Sequence, residues 1–103
     1  MPELTCTARR VGDYESRTEE YELLFGLEET PPRELRVRYQ AARAFEINAA
    51  LDSAVETARA AISDADPDLA GKPTDESLQK FAWRAVQSVK YDEGAAKTST
   101  LEV

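Results

Sequence analysis

The sequence predicts a mainly α-helical domain of three helices, with extended or flexible segments at both ends. Apolar residues recur at spacings of three and four between residues 37 and 62, and again between residues 78 and 89. That periodicity is typical of amphipathic helices. The 103 residues fit one domain. We expect a helical domain over residues 1–91, beginning with an N-terminal arm at residues 1–13, and a flexible or β-permissive tail at residues 92–103.

The first predicted helix is short and acidic and covers residues 17–25. Ser16 and Glu19 form the Ser-x-x-Glu pattern of a capping box, in which each side chain bonds the other residue's free amide. Gly26 follows as a helix-ending residue. A helix of this length is marginal alone, so we expect it to pack on another element.

The second predicted helix is long and runs from Pro31 to about Ser63. Thr30 suits the capping position, and Pro31 suits the first helical position. About thirty helical residues span roughly 45–50 Å, which exceeds the width of a compact domain of this size. The helix should therefore bend, break near Asn48 or project into a partner. Its apolar stripe comprises Val37, Ala41, Ala44, Ile47, Leu51, Val55, Ala58 and Ile62.

A third helix is predicted to end near Tyr91, after a loop rich in Asp, Gly and Pro at residues 64–73. Thr74 is placed to cap this helix, and the acidic residues of its first turn suit the helix dipole. Its apolar stripe comprises Leu78, Phe81, Ala82, Ala85, Val86 and Val89.

The two ends of the chain carry weak strand signals. Leu4, Cys6 and Ala8 alternate with polar residues, which fits either a short strand or a frayed terminus. Residues 97–103 are also β-permissive and have the composition to pair with residues 4–11. Because a two-stranded ribbon is marginal in water, such a pair would need covering by another element.

Residues that commonly carry enzyme chemistry are scarce. The chain has no histidine, a single cysteine at Cys6 and four scattered glycines, so we predict no catalytic site and no cofactor. The Asp-x-Asp-x-Asp run at residues 64–68 resembles the start of a calcium-binding loop. Leu69 and Asp75, however, occupy the positions where such a loop has Gly and Glu. We therefore predict no metal site.

The charge of the chain restricts the class of partner. The formal net charge is −7 at pH 7, and a negative field disfavours nucleic acids and anionic membranes. No apolar run approaches the ~20 residues that cross a bilayer, and the first residues lack the pattern of a signal peptide. We expect a protein partner, no direct contact with nucleic acid or membrane, and a cytoplasmic location (host cytoplasm or virion if the protein is viral).

Three arginines, Arg33, Arg36 and Arg43, would share one side of the long helix near its start. Cations near a helix N-terminus oppose the helix dipole and favour anionic neighbours. Two interpretations remain open. The acidic residues between positions 19 and 29 fold back and pair with these arginines, or the arginines form a site for a small anion.

Four aromatic side chains are candidate interface residues. Trp83 lies about 130° from the centre of the third helix's apolar stripe at ~100° per residue, and Tyr91 also falls outside that stripe. Trp and Tyr are enriched at interface hot spots. Phe45 and Tyr39 are the corresponding candidate interface residues on the long predicted helix. The alternative is that the N-terminal arm or the C-terminal tail covers Trp83.

These observations favour a small non-enzymatic protein-interaction or assembly component, such as an accessory protein of a phage or mobile element. A homo-oligomer or a fixed protein partner is expected, because an overlong helix and an aromatic residue outside the stripe both call for a second surface. One alternative is an acidic inhibitor or regulator that occupies a basic, nucleic-acid-binding site on a target protein. Another is a small-anion-sequestering module at an oligomer interface.

Overall fold

The computed structural model describes residues 2–11, 17–92 and 94–103, over which a four-stranded antiparallel sheet carries two helices on one face. The strand order is β3-β2-β1-β4. The fold is therefore α+β, and the prediction of a mainly α-helical domain, a bundle of three helices, is wrong. In chain order the elements are β1 (Glu3–Arg10), β2 (Thr18–Leu27), β3 (Arg33–Gln40), α1 (Ala44–Ala65), a 3₁₀ turn (Pro67–Leu69), α2 (Asp75–Val89) and β4 (Ala96–Glu102).

The sheet has one buried face and one open face, because successive side chains of a strand point in opposite directions. In β1, Cys6 and Ala8 are buried against the helices, whereas Thr5, Thr7 and Arg9 lie on the open face. The side chains of β2 alternate in the same way, and those on the buried face form most of the sheet's contribution to the core. The buried apolar side chains of β2 are Tyr21, Leu23, Phe25 and Leu27.

The two ends of the chain pair with each other inside this sheet. Leu4 of β1 lies opposite Leu27 of β2 on one side and opposite Leu101 of β4 on the other. Residues 96–102 are therefore a strand of the sheet, and α2 packs over them and over β1. The covering that a two-stranded ribbon would lack is provided by α2 and by the neighbouring strand β2.

The short acidic helix predicted over residues 17–25 is wrong, because these residues belong mainly to β2. The apolar side chains of β2 recur at every second position, which is the period of a strand. Of the two residues in the predicted capping box, Ser16 lies outside the described residues and Glu19 is buried in β2. Gly26, expected to end the helix, is a buried residue of the same strand.

The long predicted helix is wrong in its first half. Residues up to Gln40 form β3, and α1 begins only at Ala44 and continues unbroken past Asn48. Val37 of β3 happens to fit the three-and-four spacing of α1, so the apolar stripe looked continuous. The turn between the two elements is closed by a hydrogen bond from the Arg43 amide to the Gln40 carbonyl (2.9 Å), and no Gly or Pro marks it.

The third predicted helix is confirmed as α2. The Thr74 hydroxyl accepts a hydrogen bond from the Ser77 amide (3.1 Å), which caps the first turn. All six residues of the predicted apolar stripe are buried. At the centre of the core, the ring of Phe81 meets the ring of Phe25 edge-on with 6.5 Å between centroids.

We predict that Phe81→Ala lowers the free energy of unfolding by about 3–5 kcal/mol, because it removes a buried ring from the contact between α2 and the sheet. Tyr91→Ala is the control, since the Tyr91 side chain is 78% exposed, and its effect should stay within about 0.5 kcal/mol. Urea unfolding followed by circular dichroism measures both. Equal effects of the two substitutions would contradict this core.

Candidate functional site

Strand β3 is an edge of the sheet. Every second residue of β3 points its backbone amide and carbonyl away from the sheet, and we call these residues the outward row. The Val11 amide donates a hydrogen bond to the Glu20 carbonyl (2.8 Å), so the backbone of Glu20 faces β1. Arg38 lies opposite Glu20, and its own backbone groups therefore point away from the sheet. Because these directions alternate along an antiparallel strand, the same holds for Glu34, Arg36 and Gln40.

The outward row is closed at both ends by the chain itself. The Gln40 amide donates to a carboxylate oxygen of Glu46 (2.7 Å), and the Gln40 carbonyl accepts from the Arg43 amide (2.9 Å). At the other end Pro32 has no amide hydrogen. This leaves three residues of β3 with outward backbone groups that no described residue bonds: Glu34, Arg36 and Arg38.

A groove of about 540 Å³ runs between this outer edge of β3 and α1. One wall consists of the residues of β3 from Leu35 to Gln40. The other wall is formed by α1, mainly by small side chains, so the edge remains open to an incoming strand. The lining residues contributed by α1 are Glu46, Ala49, Ala50 and Ser53.

The three arginines predicted to share a helix face are dispersed. Arg33 points to the helix side of the sheet and donates two hydrogen bonds to Asp64 (2.6 and 2.9 Å). Arg36 lies on the open face and pairs with Glu22. Arg43 precedes α1 and lies 3.6 Å from a carboxylate oxygen of Glu46. The structure does not bring the three guanidinium groups into one cluster.

Glu22 links two strands across the open face. It accepts hydrogen bonds from Arg9 of β1 (2.5 Å) and from Arg36 of β3. The hydrogen bond from Arg9 is the main cause that holds the pKa of the Glu22 carboxyl below its ordinary value of 4.5, and Arg36 adds to it. Glu34 and Arg38, two residues either side of Arg36, form no salt bridge with any residue that the structure describes.

The four predicted interface aromatics lie in different environments. Tyr39 is a strand residue that is only 3% exposed. Trp83 is half-buried and packs on the Tyr39 ring with 6.3 Å between centroids, so α1 and β3 cover much of it. Phe45 and Tyr91 are 68% and 78% exposed. An interface role for these residues stays a prediction.

A buried ion pair at one end of the sheet was not foreseen from the sequence. The side chains of Arg10 and Glu19 are almost fully buried and lie 3.7 Å apart. Arg10 also donates to the Lys90 carbonyl (2.6 Å), which ties β1 to the end of α2. Burial and the charge of Glu19 raise the pKa of Tyr21 to about 12, and burial likewise raises the pKa of Tyr39. Both phenols therefore stay neutral at physiological pH.

Two classes of feature are absent from residues 2–11, 17–92 and 94–103. Neither helix combines the length and the apolar character that crossing a bilayer requires, and no group of three or more His, Cys, Asp or Glu side chains is arranged to hold a metal ion. Comparisons with protein-family models, curated proteins and solved structures found no match. Function must therefore be inferred from the geometry of the molecule.

The acid sensitivity of the fold should depend on Glu22. Because the folded-state pKa of Glu22 lies below its unfolded value, ionised Glu22 stabilises the fold fully above about pH 4.5, and this stabilisation is lost as the pH falls through the folded pKa. We predict that Glu22→Gln is less stable than the wild type at neutral pH, and that the difference shrinks on acidification.

Urea unfolding at a series of pH values measures this difference. Glu20→Gln is the control, since Glu20 lies on the same face without a salt bridge to any described residue. A difference between the wild type and Glu22→Gln that does not change with pH would contradict the role given to the Arg9 hydrogen bond.

Breaking the buried ion pair should be more harmful than removing it. We predict that Arg10→Met lowers the free energy of unfolding by about 3–5 kcal/mol, because the Glu19 carboxylate loses its buried cation. Arg10→Met combined with Glu19→Leu should recover part of this loss, since no charge is then left uncompensated. Urea unfolding of the two single variants and the double variant tests this. Strictly additive losses would rule out direct coupling between the two side chains.

Proposed function

We propose that the protein is a small non-enzymatic protein-interaction or assembly component that binds an extended strand along the outer edge of β3. The observation that supports this most directly is the outward row of Glu34, Arg36 and Arg38, which opens into a groove of about 540 Å³. In such strand addition the main-chain hydrogen bonds provide affinity, and the side chains on alternate positions provide specificity.

The charges along β3 favour a selective partner over indiscriminate pairing. Charged residues on edge strands discourage random edge-to-edge association. Arg36 is paired with Glu22, which it shares with Arg9, whereas Glu34 and Arg38 form no salt bridge with a described residue, so these two residues dominate the choice of partner. A strand that offers a carboxylate opposite Arg38 and a cation opposite Glu34 is accepted, and other strands are disfavoured.

The non-enzymatic part of the proposal is supported by the chemistry of the side chains. The sequence contains no histidine. Burial raises the pKa of the Cys6 thiol to about 12, which keeps it protonated and unreactive. A single buried thiol is also compatible with the cytoplasmic location that we propose.

The two alternative functions have less support. An inhibitor that imitates a nucleic acid needs an unpaired acidic face, whereas Glu22, Asp64 and Asp75 are paired with arginines. A small-anion module requires the three arginines to lie together, whereas Arg33 and Arg36 lie on opposite faces of β3. Binding along the β3 edge is therefore the function that we propose.

We predict that Arg36→Pro abolishes partner binding while the protein stays folded. Proline at this position removes an outward amide that takes no part in the sheet, together with the Arg36 side chain and its ion pair with Glu22, and edge strands tolerate proline. Thr98→Pro is the matched control, because Thr98 points outward on the opposite edge strand β4 and also loses one cross-strand side-chain contact. Arg36→Ala controls for the lost ion pair with Glu22.

The chain is immobilised and exposed to an extract of its own cells, to which an untagged copy of the chain is added so that its capture can also be detected. Quantitative mass spectrometry then measures the proteins that are retained. Proteins retained by the wild type and by the Thr98→Pro and Arg36→Ala variants should be lost with Arg36→Pro. Equal retention by Arg36→Pro would show that the β3 edge is not the binding surface.

A further inference from the structure

We infer that the strand bound along β3 is the β3 strand of a second copy of this chain, so that two sheets join into one continuous eight-stranded sheet. This inference rests on the proposed function and adds the identity of the partner. The outward row is complementary to a second copy of itself. A strand that bound only an unrelated protein would not need this property.

The free backbone groups are symmetric about Arg36. Glu34, Arg36 and Arg38 each turn an amide and a carbonyl outward, and outward residues of two antiparallel strands exchange both hydrogen bonds when they lie directly opposite each other. A two-fold axis through Arg36 places Glu34 opposite the partner's Arg38, and Arg38 opposite the partner's Glu34. A two-fold symmetric interface of this kind is self-complementary by construction.

The ends of the row match the same register. Pro32 has no amide hydrogen to donate, and this register places it opposite the partner's Gln40. Both backbone groups of Gln40 are already bonded, to Glu46 and to Arg43. At this pair of positions, therefore, neither Pro32 nor Gln40 has a backbone amide that lacks a hydrogen-bond acceptor. A shift of two residues in either direction would instead set a free residue against Pro32 or against Gln40.

The side chains agree with this register. Glu34 and Arg38 lie on the open face of β3 and form no salt bridge with any described residue of their own chain. The register gives each of them an opposite charge across the interface, twice by symmetry. Arg36 faces the partner's Arg36 at the axis, where the Glu22 carboxylate, which each Arg36 shares with Arg9, offsets part of the repulsion between the two guanidinium groups.

The helix layer leaves room for the second copy. The α1 side chains beside the β3 edge are mainly small, namely Ala49, Ala50 and Ser53. In the joined sheet the two α1 helices lie side by side on the same face, and small residues let helices approach closely. The small side chains on this side of α1 therefore limit steric conflict between the two helices.

Charge reversal tests the register. Glu34→Arg places cations at both positions 34 and 38, and Arg38→Glu places anions at both positions. Each variant alone should sediment and scatter light as a monomer of 11.5 kDa, and an equimolar mixture should recover twice that mass, as the wild type does. Glu102→Arg, a charge reversal on the other edge strand, should leave the dimer unchanged. Circular dichroism checks that all variants are folded.

The outcomes separate this inference from the function on which it rests. A wild-type monomer at every concentration, together with a captured protein that Arg36→Pro loses, would overturn the second copy as partner and leave the β3 edge as the binding surface. A dimer that Arg36→Pro does not dissociate would overturn both proposals. Single variants that dissociate but do not recover the dimer on mixing would overturn the register.

Discussion

The packing of the buried row of β2 against the two helices is the constraint on which the rest of the structure depends. Tyr21 and Phe25 are among the largest fully buried side chains, and each lies in β2 between β1 and β3. A register slip of one residue would carry this whole row to the open face and bring Glu20 and Glu22 into the core. The cost of that exchange specifies the register of both neighbouring strands.

The outward row of β3 follows from the same register. Once the side chains of β2 are assigned to faces, the directions of its backbone groups are assigned as well, because both alternate with a period of two. The residues of β3 that face the open side are therefore also those whose amides point outward. The charges of Glu34, Arg36 and Arg38 thus stand beside the free hydrogen-bonding groups, and the binding that we propose for this edge would draw its affinity and its selectivity from the same residues.

The buried Arg10–Glu19 pair gives the far end of the sheet a polar character. Ion pairs of this kind often add little net stability, because desolvation offsets their attraction. Their geometry is nevertheless demanding. The Arg10 guanidinium must reach both Glu19 and the Lys90 carbonyl, so it fixes the end of β1 against β2 and the end of α2.

The sequence predicts the helices that lie late in the chain and fails where two periodicities overlap. The stripe of α2 and the cap at Thr74 were both predictable, because no strand pattern competes with them. In α1 the predicted stripe packs on the core from Ile47 onward, whereas Ala44 is exposed. Val37 extends the stripe by chance into β3, and no Gly or Pro marks the intervening turn.

The position of β3 at the edge of the sheet was not predictable from the sequence. Leu35, Val37 and Tyr39 alternate with charged residues over most of β3, which is a strand signal of moderate length. Which strand ends up at the edge depends on long-range pairing, and no local pattern contains that information. The termini showed the composition to pair, but their position beside β2 in a covered sheet depends on the order of all four strands.

Backbone hydrogen exchange along β3, resolved by NMR at low and high protein concentration, tests whether the outer edge of β3 pairs with a second copy. We predict slow exchange at Leu35, Val37 and Tyr39 under both conditions, because their amides bond β2. We predict fast exchange at Glu34, Arg36 and Arg38 in dilute solution and slow exchange when the chain is concentrated. Outward amides that exchange equally fast at both concentrations would contradict pairing of β3 with a second copy, and protection of the outward residues in place of the inward ones would contradict the register of the sheet itself.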